Sequence, residues 1–134
     1  MNSQSGERNL AKIVKSGDCG NSPKNALLER VSIAFALGDF ESVESELVKD
    51  IQWSIVGSES VRGISQLGKA WERQRRKAVK RVVVRHVVNH GKSGAVEGEL
   101  ELSDGRHIAF CDFCDFGNAK GTTVGRVSTY LVAL

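Results

Sequence analysis

The chain has 134 residues, 40% of them hydrophobic and 26% charged, with a net charge of +3. A chain of this length buries enough surface to fold as one self-sufficient domain. The slight charge, without an arginine-rich tail or an aromatic RNA-binding motif, gives no support to a nucleic-acid partner. No apolar run reaches the roughly 20 residues of a membrane span. The N-terminus lacks the apolar core of a signal peptide, so a cytoplasmic location is the default expectation. The three cysteines, an odd number, do not suggest a disulfide framework.

Residues 1–21 are polar and irregular and read as a flexible arm. Leu10, Ile13 and Val14 could make one helical turn there, and Cys19 reads as an exposed thiol. The first firm signal is Ser22-Pro23, an N-cap followed by a residue favoured at the first helical position. Leu27, Leu28, Val31, Ala34 and Phe35 then recur at helical spacing. Gly38 stops this helix, and Asp39 opens a shorter one with Phe40, Val43 and Leu47 as its stripe. Ile51–Val56 reads as a strand around Trp53, and Gly57-Ser58-Glu59-Ser60 as a turn or extended loop. Gly63 opens a third helix with Ile64, Leu67 and Trp71 on its apolar face and a basic far end.

From Val79 the period switches to two. Val82–Val88 is β-branched, and Gly91-Lys92-Ser93-Gly94 is a turn. Val96, Gly98, Leu100 and Leu102 then alternate with Glu97, Glu99 and Glu101. Ser103-Asp104-Gly105 turns into the strand Ile108–Phe116, and Val124–Leu134 closes the chain. Helices first and long antiparallel strands after predict an α+β domain with helices on one face of a curved sheet, spanning residues 22–134.

Three stretches carry a family resemblance. They are Phe35-Ala36-Leu37-Gly38-Asp39-Phe40 at the helix break, Gly57–Gly63 before the third helix, and the last two strands with Asp112, Phe116 and Tyr130. In this order they resemble the nuclear-transport-factor-2-like superfamily, in its SnoaL-like and ketosteroid isomerase-like branch. The resemblance implies a cone. Its curved antiparallel (mixed) sheet wraps around three N-terminal helices and leaves a central apolar pocket. It also implies a homodimer built on the outer sheet face, and chemistry without a cofactor or metal. Such proteins include isomerases, cyclases, dehydratases and epoxide hydrolases, as well as non-catalytic ligand-binding proteins and protein-interaction modules.

Asp112 is the leading candidate. Alternation puts Ile108, Phe110, Asp112, Cys114 and Phe116 on one face of their strand. A buried carboxylate must be paired, hydrogen-bonded or protonated. The resemblance turns Asp112 inward, as an acid that bonds a substrate oxygen. The alternative is a solvated or salt-bridged aspartate at a sheet edge. His86 is the next acid–base candidate, against a structural histidine on a valine-rich strand. The resemblance also turns Tyr130, Ser128 and Val132 inward. The catalytic candidates are thus Asp112, His86 and Tyr130, and the expected lining is Trp53, Phe110, Cys114, Phe116, Ser128 and Val132. By the same comparison Ser54 and Val31 stand where a general base and an oxyanion tyrosine would be, and neither side chain can serve. Cys111-x-x-Cys114 on a strand points its two thiols to opposite faces, against a redox or metal motif. The basic run Arg73–Arg81 reads as a solvated helix end. The expected ligand is a small apolar molecule bearing an oxygen.

Overall fold

The computed structural model describes residues 11–15, 22–74 and 78–134. Strand β1 is Lys12–Lys15. Helix α1, Pro23–Leu37, and a 3-10 helix, Phe40–Glu46, come next. Strands β2 (Leu47–Ile55) and β3 (Glu59–Arg62) precede helix α2 (Ile64–Gln74). Strands β4 (Val79–His90), β5 (Ser93–Leu102), β6 (His107–Phe116) and β7 (Val124–Ala133) complete the order. The strands form one open mixed sheet, β1-β4-β5-β6-β7-β2-β3. Strands β4 to β7 are antiparallel neighbours, while β1 runs parallel to β4 and β2 parallel to β7. The helices pack on the inner face, which makes the expected α+β cone.

Local chemistry explains the helix boundaries. The Ser22 hydroxyl accepts from the Asn25 amide at 3.1 Å, and Pro23 follows it. Gly38 ends α1 in the left-handed region at φ 72°, with its amide donating to the Ala34 carbonyl. A side chain there would collide with Trp71, whose ring lies 2.5 Å from where a Cβ would stand. Trp71 in turn donates from Nε1 to the Ala36 carbonyl at 3.2 Å. One contact thereby ties α2 to the end of α1.

Three local expectations change. Lys12–Lys15 is an edge strand, not a helical turn: Ile13 and Val14 pair with Val82 and Val83, and Lys15 reaches Glu29 at 3.1 Å. The rest of the expected arm, Cys19 included, lies outside the described residues. The second helix is a 3-10 segment, and Leu47 starts β2 instead of ending the helix stripe. Seven residues are too few to favour α geometry strongly, and i→i+3 bonds suit short connectors. Part of the expected Gly57–Ser60 loop joins β3, in register with β2 from Gln52↔Arg62 to Ile55↔Glu59.

Candidate functional site

A cavity of about 450 Å³ opens between α1, α2 and the inner face of the sheet. Its walls are mostly apolar, with Phe35, Trp53, Ile55, Leu100, Phe110 and Leu131 prominent, and Gln74 and Arg106 add polar groups. Phe110 comes close over β5 because its register partner Gly98 has no side chain; a Cβ there would stand 3.0 Å from the Phe110 ring and 1.9 Å from the Val83 carbonyl. Phe35 and Trp53 meet edge to face, with ring centroids 5.0 Å apart.

Asp112 lines this cavity and is only 3% exposed. Its carboxyl is held by two hydroxyls. Thr129 Oγ1 donates to Oδ1 at 2.6 Å, and Ser32 Oγ donates to Oδ2. Trp53 Nε1 donates to Thr129 Oγ1 at 2.9 Å, extending the chain to a third side chain. Burial pushes the Asp112 pKa from its ordinary 3.8 to about 6, and the Ser32 and Thr129 bonds restrain the rise. Among the described residues no cation contributes to that balance. The group is therefore a desolvated acid poised near neutral pH, able to accept a proton from, or return one to, an oxygen in the cavity.

No family model and no curated protein matches the chain. Solved structures do. One is a nuclear-transport-factor-2-like protein of unknown function from Burkholderia xenovorans, 19% identical, TM-score 0.66, covering 81% of each chain. The chain has the nuclear-transport-factor-2-like fold. A putative ketosteroid isomerase from Kribbella flavida is 18% identical with a TM-score of 0.66, over 81% of this chain and 77% of its own. A putative SnoaL-like polyketide cyclase from Shewanella putrefaciens is 10% identical with a TM-score of 0.66, over 82% of this chain and 90% of its own.

Within this nuclear-transport-factor-2-like fold, Asp112, Trp53 and Phe110 come together at the cavity. His86 does not. A bulge between Val84 and His86 adds a residue to β4 and reverses its phase, so that Val82, Val84 and Val87 are buried and His86 turns outward. Its side chain is 75% exposed, with Nδ1 3.0 Å from Glu97. Tyr130, Ser128 and Val132 also face outward. Asp112 pairs with Thr129 across β6 and β7, and Cys111 with Tyr130, so Tyr130 shares the outer face. Strand β7 is apolar on both faces, which left its phase ambiguous; Val127, Thr129 and Leu131 are the inward set. Cys114 is fully buried in the core, and Phe116 is half-buried, its ring 5.4 Å from Lys24 Nζ. Ser54 pairs with Ser60 at an exposed 2.8 Å contact, and Val31 is buried.

The sequence reading overlooked Ser32 and gave Thr129 no bond to Asp112. A signal for Ser32 existed: Leu28, Ser32 and Phe35 fall at i, i+4 and i+7, so the hydroxyl rides on the buried stripe. The cysteine pair divides as its spacing implies, Cys111 half-buried and Cys114 buried, and burial raises both thiol pKa values. The basic run is tied in ion pairs where it is described: Arg73 with Glu59 at 2.7 Å, and Arg81 with Glu101 at 3.2 Å.

Proposed function

We propose that the cavity binds a small apolar molecule bearing an oxygen, and that Asp112 exchanges a proton with it in a cofactor-independent isomerisation, cyclisation or dehydration. One observation carries this reading: a carboxyl buried in an apolar cavity, held by two hydroxyls, with no cation among the described residues to neutralise it. Such a group is costly to the fold and suited to acid–base work. The likeness to structures called a putative isomerase and a putative cyclase agrees with it. His86 and Tyr130 have no part in this chemistry, being on the other face. The test is a panel of neutral polycyclic ketones, lactones and unsaturated esters. Binding is followed by tryptophan fluorescence and turnover by chromatography. The Asp112→Asn variant is expected to keep binding and lose turnover. Turnover that survives Asp112→Asn would overturn the acid–base role; affinity without turnover in the wild type would leave a binding protein.

We also propose that the outer sheet face seats a second copy of this chain. Val88, Phe113, Tyr130 and Val132 are exposed there on neighbouring strands. The polar and charged side chains beside them are internally paired, His86 and Arg85 with Glu97 and Arg85 and His107 with Glu99. A face that is apolar and whose polar side chains are already partnered is suited to meet its own copy.

A further inference from the structure

We propose that Trp53 and Thr129 are positioning residues that decide which oxygen of Asp112 carries its proton, leaving Oδ2, beside Ser32, as the atom that gives and takes it. This rests on the acid–base reading of Asp112 for its use, though not for its geometry. An indole N–H can only donate. With Trp53 Nε1 at 2.9 Å, the Thr129 oxygen must accept, and its single hydrogen is aimed at Asp112 Oδ1, 2.6 Å away. A proton on Oδ1 would need the second lone pair of the Thr129 oxygen and would turn the Thr129 hydrogen away from Oδ1, its acceptor. That exchange is disfavoured, so Oδ1 stays the acceptor in both charge states.

Ser32 has no such lock. It donates to Oδ2, and among the described residues no N–H is directed at its oxygen. Rotation about its Cβ–Oγ bond turns it from donor to acceptor. When a ligand X–H gives its proton to Oδ2, the X–H bond breaks and its electron pair stays on the ligand. The new Oδ2–H bond neutralises the carboxylate, and the Ser32 hydroxyl swings to accept from it. The Thr129 bond is unchanged throughout, and the reverse step returns the proton to the same or a neighbouring ligand atom.

The surroundings leave this control to the hydroxyls. Asp112 is flanked in register by Val96 on β5 and Thr129 on β7, and by Phe110 and Cys114 on its own face of β6. Cys114 and Cys111 are thiols whose own pKa values are raised. On α1, Glu29 lies one turn before Ser32 and pairs with Lys15 of β1. Helix α2 contributes Gln74, and the β5–β6 turn contributes Arg106, to the cavity wall; Arg106 is bonded to Asp104 at 2.9 Å.

The experiment is a carbon-detected NMR titration of the Asp112 side-chain carboxyl in the ligand-free protein. It compares wild type with Thr129→Val, Thr129→Ser, Trp53→Phe and Ser32→Ala. Thr129→Val is expected to raise the midpoint by about one pH unit, Thr129→Ser to restore it, and Trp53→Phe to give a smaller rise. In the wild type, the Thr129 hydroxyl proton should hold its chemical shift through the transition while the Ser32 hydroxyl proton moves. If Thr129→Val does not fold, Trp53→Phe and the two hydroxyl signals still decide. Equal movement of both hydroxyl signals, or a wild-type midpoint in Thr129→Val and Trp53→Phe, would overturn the assignment. Neither result bears on ligand turnover, so failure of this proposal is distinguishable from failure of the function proposed above.

Discussion

Asp112 links the site to the stability of the fold, and the sign of that link can be worked out. Its folded pKa is about 6 against an ordinary 3.8, so the folded state holds the proton more tightly than the unfolded one. The stabilisation from the protonated form is fully present below pH ~4 and is lost as pH rises through about 6. A shift of about two units corresponds to roughly 3 kcal/mol by linkage. At neutral pH the protein therefore carries a desolvated charge that an amide would avoid. Asp112→Asn keeps the shape and offers the neighbouring hydroxyls a donor. It is expected to be more stable than wild type by roughly 1–2 kcal/mol at pH 7.5, with the gap closing toward pH 4. Urea unfolding at the two pH values measures this; a variant that is less stable at both would mean the ionised carboxylate and its donors stabilise the fold. His86→Ala supplies a control at the same scale. Its side chain lies on the outer face, so it should leave the Asp112 titration midpoint unchanged.

At the level of elements, what sequence could disclose depended on whether side-chain periodicity ran unbroken. Strand β5 alternates without interruption, and its inward set Val96, Gly98, Leu100 and Leu102 was legible; so was the inward turn of Phe110 and Asp112 on β6. Strand β4 was not, because the bulge beside His86 is a backbone event that a run of valines does not announce. Strand β7 was misread because apolar residues on both faces give two equally good phases, and only the register with Asp112 chooses between them. The Ser32–Asp112 and Trp53–Thr129 bonds join residues 80 and 76 positions apart, beyond any local pattern. The helix break was legible, because Gly38 has both a conformational and a packing reason. Its φ of 72° suits glycine, and the Trp71 ring occupies the space of a side chain. Gly38→Ala should therefore destabilise by roughly 2–3 kcal/mol, about 1 from backbone strain and the rest from displacing Trp71. Since Trp71 lines the cavity, its fluorescence should change in the folded variant, which separates wall displacement from simple loss of stability.

For the whole molecule, the two faces of one sheet have opposite tasks. The inner face of β6 and β7 gives Phe110, Asp112, Thr129 and Leu131 to the cavity, while the outer face of the same strands exposes Phe113, Tyr130 and Val132. Because side chains alternate, the chain cannot shift either strand by one residue to hide the outer set without emptying the cavity. The second copy proposed above would cover that set without disturbing the site. Phe113 is the best probe, since it faces outward between Ala95 of β5 and Ser128 of β7, away from the Asp112 hydrogen bonds. Sedimentation velocity at micromolar concentration should give a dimer for wild type and a monomer for Phe113→Lys. The Asp112 carboxyl titration of the Lys variant should match wild type, because the substitution stays on the far side of the sheet. A wild-type monomer would remove the proposed interface. An unchanged dimer in both Phe113→Lys and Tyr130→Glu would move the interface to another surface.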